Sequence, residues 1–279
     1  MIRVFEASGA IDLTDFAAFL WDNEIPHRIT YDGERQVLWV PNASQVEQVR
    51  YIFEQWRRGV DLSEVKVRQP LRHRINLLDY PLSISLIALS ALITLGIDFG
   101  QRYALMHWLT ITEFQITRTA ILFAPLSETL FSLEWWRLVT PAFMHFNLPH
   151  ILFNSLWIWV VGRRIERLQG PWALGFIFLF ASIISNIAQF WVSGPMFGGM
   201  SGVVFAVFAY TWLWDKLAGE RYFGFPPAIM IFMAFWLVLG YTGLLSAIGF
   251  GSIANTAHLV GLVAGLLAVP VVRRFAKWR

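Results

Sequence analysis

PWALGFIFLFASIISNIAQFWVSGPMFGGMSGVVFAVFAYTWLW occupies residues 171–214 without one charged side chain. The run holds two apolar segments, 171–192 and 199–214, joined by a short stretch rich in glycine. Each is of roughly spanning length, since ~20 residues cross a ~30 Å hydrocarbon core. Working outward, further apolar runs recur at 81–99, 148–168, 226–243 and 253–271. The whole chain is 56% hydrophobic, 16% aromatic and 15% charged, which is too apolar for a soluble fold. The expectation is an all-α polytopic membrane protein, a bundle of six transmembrane helices.

The basic residues fix an orientation. They cluster at segment ends, and if the N-terminus faces the cytoplasm only Arg102, Arg118 and Arg137 of those beyond residue 67 fall on the far side. Both termini are therefore expected to be cytoplasmic. Residues 1–70 carry charges throughout and no apolar core of a signal peptide, which agrees. The formal charge of +3 is dispersed, not gathered into a stripe, so no nucleic-acid partner is expected. The chain has no cysteine, hence no disulfide, no thiolate metal site and no catalytic thiol. Covalent chemistry has only oxygen nucleophiles to use.

Residues 1–60 predict a small α+β cytoplasmic domain. Ile2–Phe5 is a candidate strand, and Asp12–Glu24 places Leu13, Phe16, Ala17 and Leu20 on one helical face. His27–Tyr31 and Gln36–Val40 flank Asp32-Gly33-Glu34, a hairpin signal. Asn42–Trp56 repeats helical spacing, and Val65–Val67 is a possible closing strand of a split βαβ sheet. No catalytic cluster lies there, so a docking or stabilising appendage is expected. Residues 61–80 form a linker and 81–279 the membrane domain. Residues 100–147 are too polar to cross again. With Trp108, Trp135 and Trp136 they predict an amphipathic, partly embedded loop in the interface.

Polar side chains inside spans are costly, so their positions are informative. In the proposed topology the second, fourth and sixth runs share one direction. Each carries a polar residue near its outer end: His150 and Asn154, then Ser201, then His258. His150, Ser201 and His258 stand thirteen to fifteen residues above Arg163, Asp215 and Arg273, the first charges at their inner ends. At about 1.5 Å per residue the three lie at one depth, roughly 20 Å above the inner boundary. His150 and Asn154, four apart, face one way.

Serine chemistry needs a base in reach and donors aimed at the developing oxyanion. Gly198-Gly199-Met200-Ser201-Gly202 places Ser201 at a helix start, where free backbone N–H groups stabilise negative charge. Ala257, Gly261 and Gly265 form a ridge of small residues that lets the sixth helix close on the fourth and bring His258 to Ser201. No Asp or Glu lies in either run, so the arrangement reads as a dyad.

Trp136-Arg137, His145-x4-His150-x3-Asn154, Gly199-Met200-Ser201-Gly202 and Ala257-His258-x2-Gly261-x3-Gly265 together resemble the rhomboid intramembrane serine proteases, and most closely a bacterial type of that family. The similarity covers about residues 81–271, and the N-terminal domain also looks like the appendage of that type. The resemblance implies Ser201 as nucleophile, His258 as base, and an oxyanion hole from the Ser201 backbone, His150 and Asn154. It implies substrate entry near the second and fifth spans, beside Phe153, Trp157 and Trp236, with Phe205 in the substrate wall. Trp136, Arg137, Gly199 and Gly261 take structural roles, and His145, which lies before the helical face of His150 and Asn154, reads as structural too. The implied substrates are transmembrane helices of other proteins, the location is a bacterial inner membrane, and no metal or cofactor is required.

Phe205 stands where relatives often carry Tyr, and Pro141 where they tend to carry His. Phe205 is four residues from Ser201 and is expected to stack on His258. The connection Gly243–Ser252, with Gly249 and Gly251, reads as a mobile lid. A transporter would also bear inward polar groups, yet the chain has no obvious inverted repeat and no intramembrane acid for ion coupling. His145, His150 and His258 as metal or haem ligands would lack carboxylate or cysteine partners.

Overall fold

The computed structural model describes residues 1–65, 67, 76–219, 221–245 and 253–275, and the chain divides into two compact units, Met1–Ile75 and Asn76–Arg279.

In the first unit β1 (Ile2–Ser8), α1 (Thr14–Asp22), β2 (Arg28–Asp32), β3 (Arg35–Val40) and α2 (Val46–Arg57) follow in order. The sheet order is β1-β3-β2, with β3 antiparallel to both neighbours. That leaves β1 and β2 parallel and split by β3, the expected topology. Asp12 opens α1 by accepting hydrogen bonds from the Thr14 N–H (2.9 Å) and hydroxyl (2.6 Å), which hold its carboxyl below the usual carboxylate range. Phe16, Leu20, Leu38, Ile52 and Phe53 fill the core between sheet and helices. Val65 and Val67 correct the sequence reading. Neither joins a strand; a single turn at Leu62–Glu64, capped by Asp61, delivers both side chains onto this core.

The second unit is mostly helical. It contains α3 (Pro81–Gly96), α4 (Tyr103–Met106), β4 (Phe114–Ile116), β5 (Ile121–Phe123), α5 (Leu126–Phe131), α6 (Leu148–Trp157), α7 (Arg163–Gln169), α8 (Pro171–Ser193), α9 (Ser201–Ala218), α10 (Pro227–Tyr241) and α11 (Asn255–Phe275). A wide π turn at Ile158–Gly162 joins α6 to α7, so the expected helix at 148–168 is present with its hydrogen-bond ladder loosened in the middle. α8 and α11 are long and apolar enough to cross a bilayer, while α3 and α10 are apolar but have 16 and 15 residues.

α9 is the hub. Every side chain from Ser201 to Thr211 is buried. The surrounding helices keep apolar outer faces: Leu179 and Trp191 on α8, Ile231, Phe235 and Val238 on α10, and Leu259 and Leu267 on α11 are all exposed. An apolar exterior around a packed core suits hydrocarbon as solvent.

Residues 100–147 are more ordered than an amphipathic loop. β4 and β5 form an antiparallel hairpin closed by Thr117, whose N–H and hydroxyl both donate to the Ala120 carbonyl. Arg137, fully buried, ties the segment together. Its guanidinium donates to the His107 and Thr110 carbonyls (2.6 and 3.2 Å) and pairs with Glu113 (3.2 Å) and Glu134 (2.5 Å). Trp136 donates to the Trp108 carbonyl at 3.3 Å.

Candidate active site

The site is assembled by the close approach of α9 and α11. A Cβ on Gly261 would overlap the Gly202 carbonyl, and one on Gly265 the Ala206 carbonyl, so the two backbones touch only because these positions lack side chains. This contact sets His258 beside Ser201, and His258 Nε2 lies 2.7 Å from Ser201 Oγ. Phe205, one turn below Ser201, stacks on the His258 ring at 4.7 Å between centroids, as expected, and lines the same cavity. His258 Nδ1 is buried with no hydrogen-bond partner among the described residues.

The backbone before Ser201 is held from below. Gly199 takes φ +120°, a conformation that side chains disfavour, and a Cβ there would enter the His150 ring. The Gly199 N–H donates to the Pro141 carbonyl (3.0 Å) and the Met200 N–H to His145 Nε2 (3.4 Å). His145 Nε2 also accepts from the Asn154 amide at 3.0 Å. His150 lies in the first turn of α6, where the Asn147 side chain caps its N–H at 2.8 Å, and its ring packs edge-on against His145 at 4.9 Å.

His150, Asn154, Ser201, Phe205 and His258 converge on one cavity of about 40 Å³, which Phe153 and Trp236 also line. Phe153 of α6 and Trp236 of α10 stack at 5.1 Å, and Trp157 continues this aromatic seam through Phe153 and Phe232. Ser201, His258, His150, Asn154, Phe153, Phe205 and Trp236 thus share one cavity, and Trp157 stands beside it against Phe153. Most of the lid proposed at 243–252 lies outside the described residues.

Two contributors escaped the sequence reading. Pro141 was noted only as a departure, yet its carbonyl anchors Gly199. Glu166 of α7 is buried and caps the start of α3, accepting from the Leu82 N–H (2.7 Å), the Ser83 N–H (2.8 Å) and the Ser83 hydroxyl (2.6 Å). A lone acid amid Arg163, Arg164 and Arg167 gave no hint of a partner more than eighty residues away.

Comparison with known proteins meets this geometry from another side. A family model described as the Rhomboid domain matches residues 132–275, and one described as the Rhomboid N-terminal domain matches residues 1–67. The class so defined is an intramembrane serine protease. The chain belongs to the rhomboid family. It is 31% identical to the rhomboid protease GlpG of Photorhabdus laumondii, covering 96% of this chain and 94% of that one. It is also 31% identical to the protein of that name from Serratia proteamaculans and 29% identical to that from Pectobacterium atrosepticum, each across 96% of this chain and 95% of theirs.

Proposed function

We propose that the chain cleaves transmembrane segments of membrane proteins with Ser201 as nucleophile and His258 as general base. The observation that carries this reading is the 2.7 Å contact between Ser201 Oγ and His258 Nε2 in a cavity that Asn154 and His150 also line. Ser201 Oγ attacks the scissile carbonyl while its proton passes to His258 Nε2. The oxyanion is met by the Ser201 N–H at the positive end of α9, by an Asn154 amide hydrogen and by His150. The intermediate collapses as His258 returns the proton to the departing amine. Water, deprotonated by His258, then attacks the acyl-enzyme, and Ser201 leaves with the proton. Apart from substrate and the one water consumed, the steps use only groups of this chain.

A cavity of about 40 Å³ holds water but no peptide. Substrate enters by parting α6 from α10, and the Phe153–Trp236 stack is the contact that must break. The surrounding topology is six crossings with both termini cytoplasmic in a bacterial inner membrane. Residues 1–60 form a docking domain, 61–80 a linker and 81–279 the protease domain. The asymmetry of Lys and Arg supports this orientation. A serine-reactive fluorophosphonate labels the chain reconstituted in liposomes at Ser201, and a model transmembrane substrate is cut. Neither signal survives Ser201→Ala; labelling at another serine would reject the assignment.

A further inference from the structure

A second cavity, of about 360 Å³, lies away from the dyad between the C-terminal end of α9 and the N-terminal end of α10. Its floor and walls are apolar: Phe208 and Trp212 from α9, Phe225 from the connection and Met230 from α10. From Phe208 to Gly219 the groove follows α9 for about 16 Å at 1.5 Å per residue, close to the depth of one hydrocarbon leaflet. Phe208 and Thr211 at the deep end are buried, whereas Lys216, Gly219 and Arg221 at the other are exposed.

The polar groups sort by whether they are already engaged. Asp215 lines the cavity, but its carboxylate accepts the Phe223 and Gly224 N–H groups at 2.8 and 3.1 Å. The Thr211 hydroxyl donates into its own helix, to the Val207 and Phe208 carbonyls. Among the described residues that leaves Lys216 and Arg221 as the lining groups with uncommitted charge. Arg164, whose guanidinium lies 5.7 Å from the Phe225 ring, adds a third cation nearby.

We infer that this groove binds an anionic phospholipid, with an acyl chain along Phe208, Trp212 and Met230 and the headgroup phosphate between Lys216 and Arg221. A leaflet-deep apolar slot ending in two unspent cations complements that molecule at both ends, and each basic residue near an anionic headgroup is worth about fivefold in affinity. A zwitterionic lipid offers the same chain without the net charge. The site is separate from the dyad, and only its assignment to the cytoplasmic leaflet rests on the orientation proposed above.

The test uses the full chain in detergent, titrated with brominated phosphatidylglycerol or brominated phosphatidylcholine while tryptophan fluorescence is read. Bromine quenches an indole on contact, and Trp212 forms a wall of the groove. The expected result is a saturable quenching phase with phosphatidylglycerol at a mole fraction at least about fivefold lower than with phosphatidylcholine. Trp212→Phe removes that phase. Lys216→Gln with Arg221→Gln brings the phosphatidylglycerol curve onto the phosphatidylcholine curve. In the unaltered chain roughly 1 M salt, where the Debye length falls to about 3 Å, does the same. Coincident curves for the two lipids, or a preference that survives both the double substitution and salt, overturn the inference. Fluorophosphonate labelling of the same samples reports on Ser201 separately, so either reading can fail without the other.

Discussion

The Asn154 amide nitrogen sits 3.0 Å from His145 Nε2, and this contact fixes the state of both side chains. The Met200 N–H also points at Nε2, so Nε2 must accept and the ring proton must sit on Nδ1. Nδ1 in turn has the Phe143 carbonyl at 3.2 Å to receive it. With Nε2 an acceptor, the Asn154 NH2 is turned toward the ring, one hydrogen spent on His145 and the other free for the oxyanion. In the proposed mechanism His145 thus positions the Asn154 donor without touching substrate.

It follows that His145→Ala lowers kcat for a transmembrane substrate by roughly 10²-fold or more, the scale of one lost oxyanion donor, with KM little changed. His145→Gln, whose carbonyl can still accept from Asn154, recovers part of the loss. Steady-state cleavage in liposomes measures both. An equal rise in KM with kcat intact would show that His145 supports binding instead.

Ser201 and His258 act as one unit if the proton passes between them, so their losses should not add. Ser201→Ala and His258→Ala each reduce turnover by 10³-fold or more, and the double variant is no slower than the worse single one. A double variant slower by the product of the two factors would mean independent roles. Circular dichroism of all three should match the parent.

Glycine to alanine inside a helix ordinarily stabilises by up to about 1 kcal/mol. At Gly261 the sign should reverse, because the new methyl meets the Gly202 carbonyl, which belongs to backbone and cannot swing aside. The expected cost is about 1–3 kcal/mol, the range of overpacking. Activity should fall with it as His258 is pushed from Ser201. Reversible unfolding in mixed micelles gives the number, and a Gly261→Ala protein as stable as the parent would contradict the packing described.

Glu166 is a helix cap supplied from across the bundle. Glu166→Ala strands the Leu82 and Ser83 N–H groups at the start of α3, with an expected loss of about 1–3 kcal/mol. Glu166→Gln retains an acceptor oxygen and should lose less. Ser201 and His258 stand on other helices, so any residual activity should keep its KM.

Much of this architecture was legible in the residue order, for identifiable reasons. Apolar runs marked the helices, and the spacing of Ala257, Gly261 and Gly265 announced a close helix contact that the Gly202 and Ala206 carbonyls fill. Alternation and Asp32-Gly33-Glu34 gave the β2–β3 hairpin. The β4–β5 hairpin stayed hidden because its strands have three residues each and its turn, Thr117-Arg118-Thr119-Ala120, carries no glycine or asparagine. His145 was assigned a structural part since it precedes the helical register of His150 and Asn154. Only the fold back of Met144–Asn147 brings its ring against Asn154 and Met200. The π turn left no mark in a run whose apolar spacing is nearly uniform.

Sealing the helix that bears the proposed nucleophile has a consequence for how the enzyme responds to its surroundings. From Ser201 to Thr211 every residue of α9 is buried in the protein, whereas Ile231, Phe235 and Val238 of α10 are exposed. With entry past α10 as proposed, thickening or stiffening the bilayer bears on the door and leaves the workbench undisturbed. Rates of admission should vary from one membrane to another while the acylation chemistry, once a segment is inside, keeps its own pace.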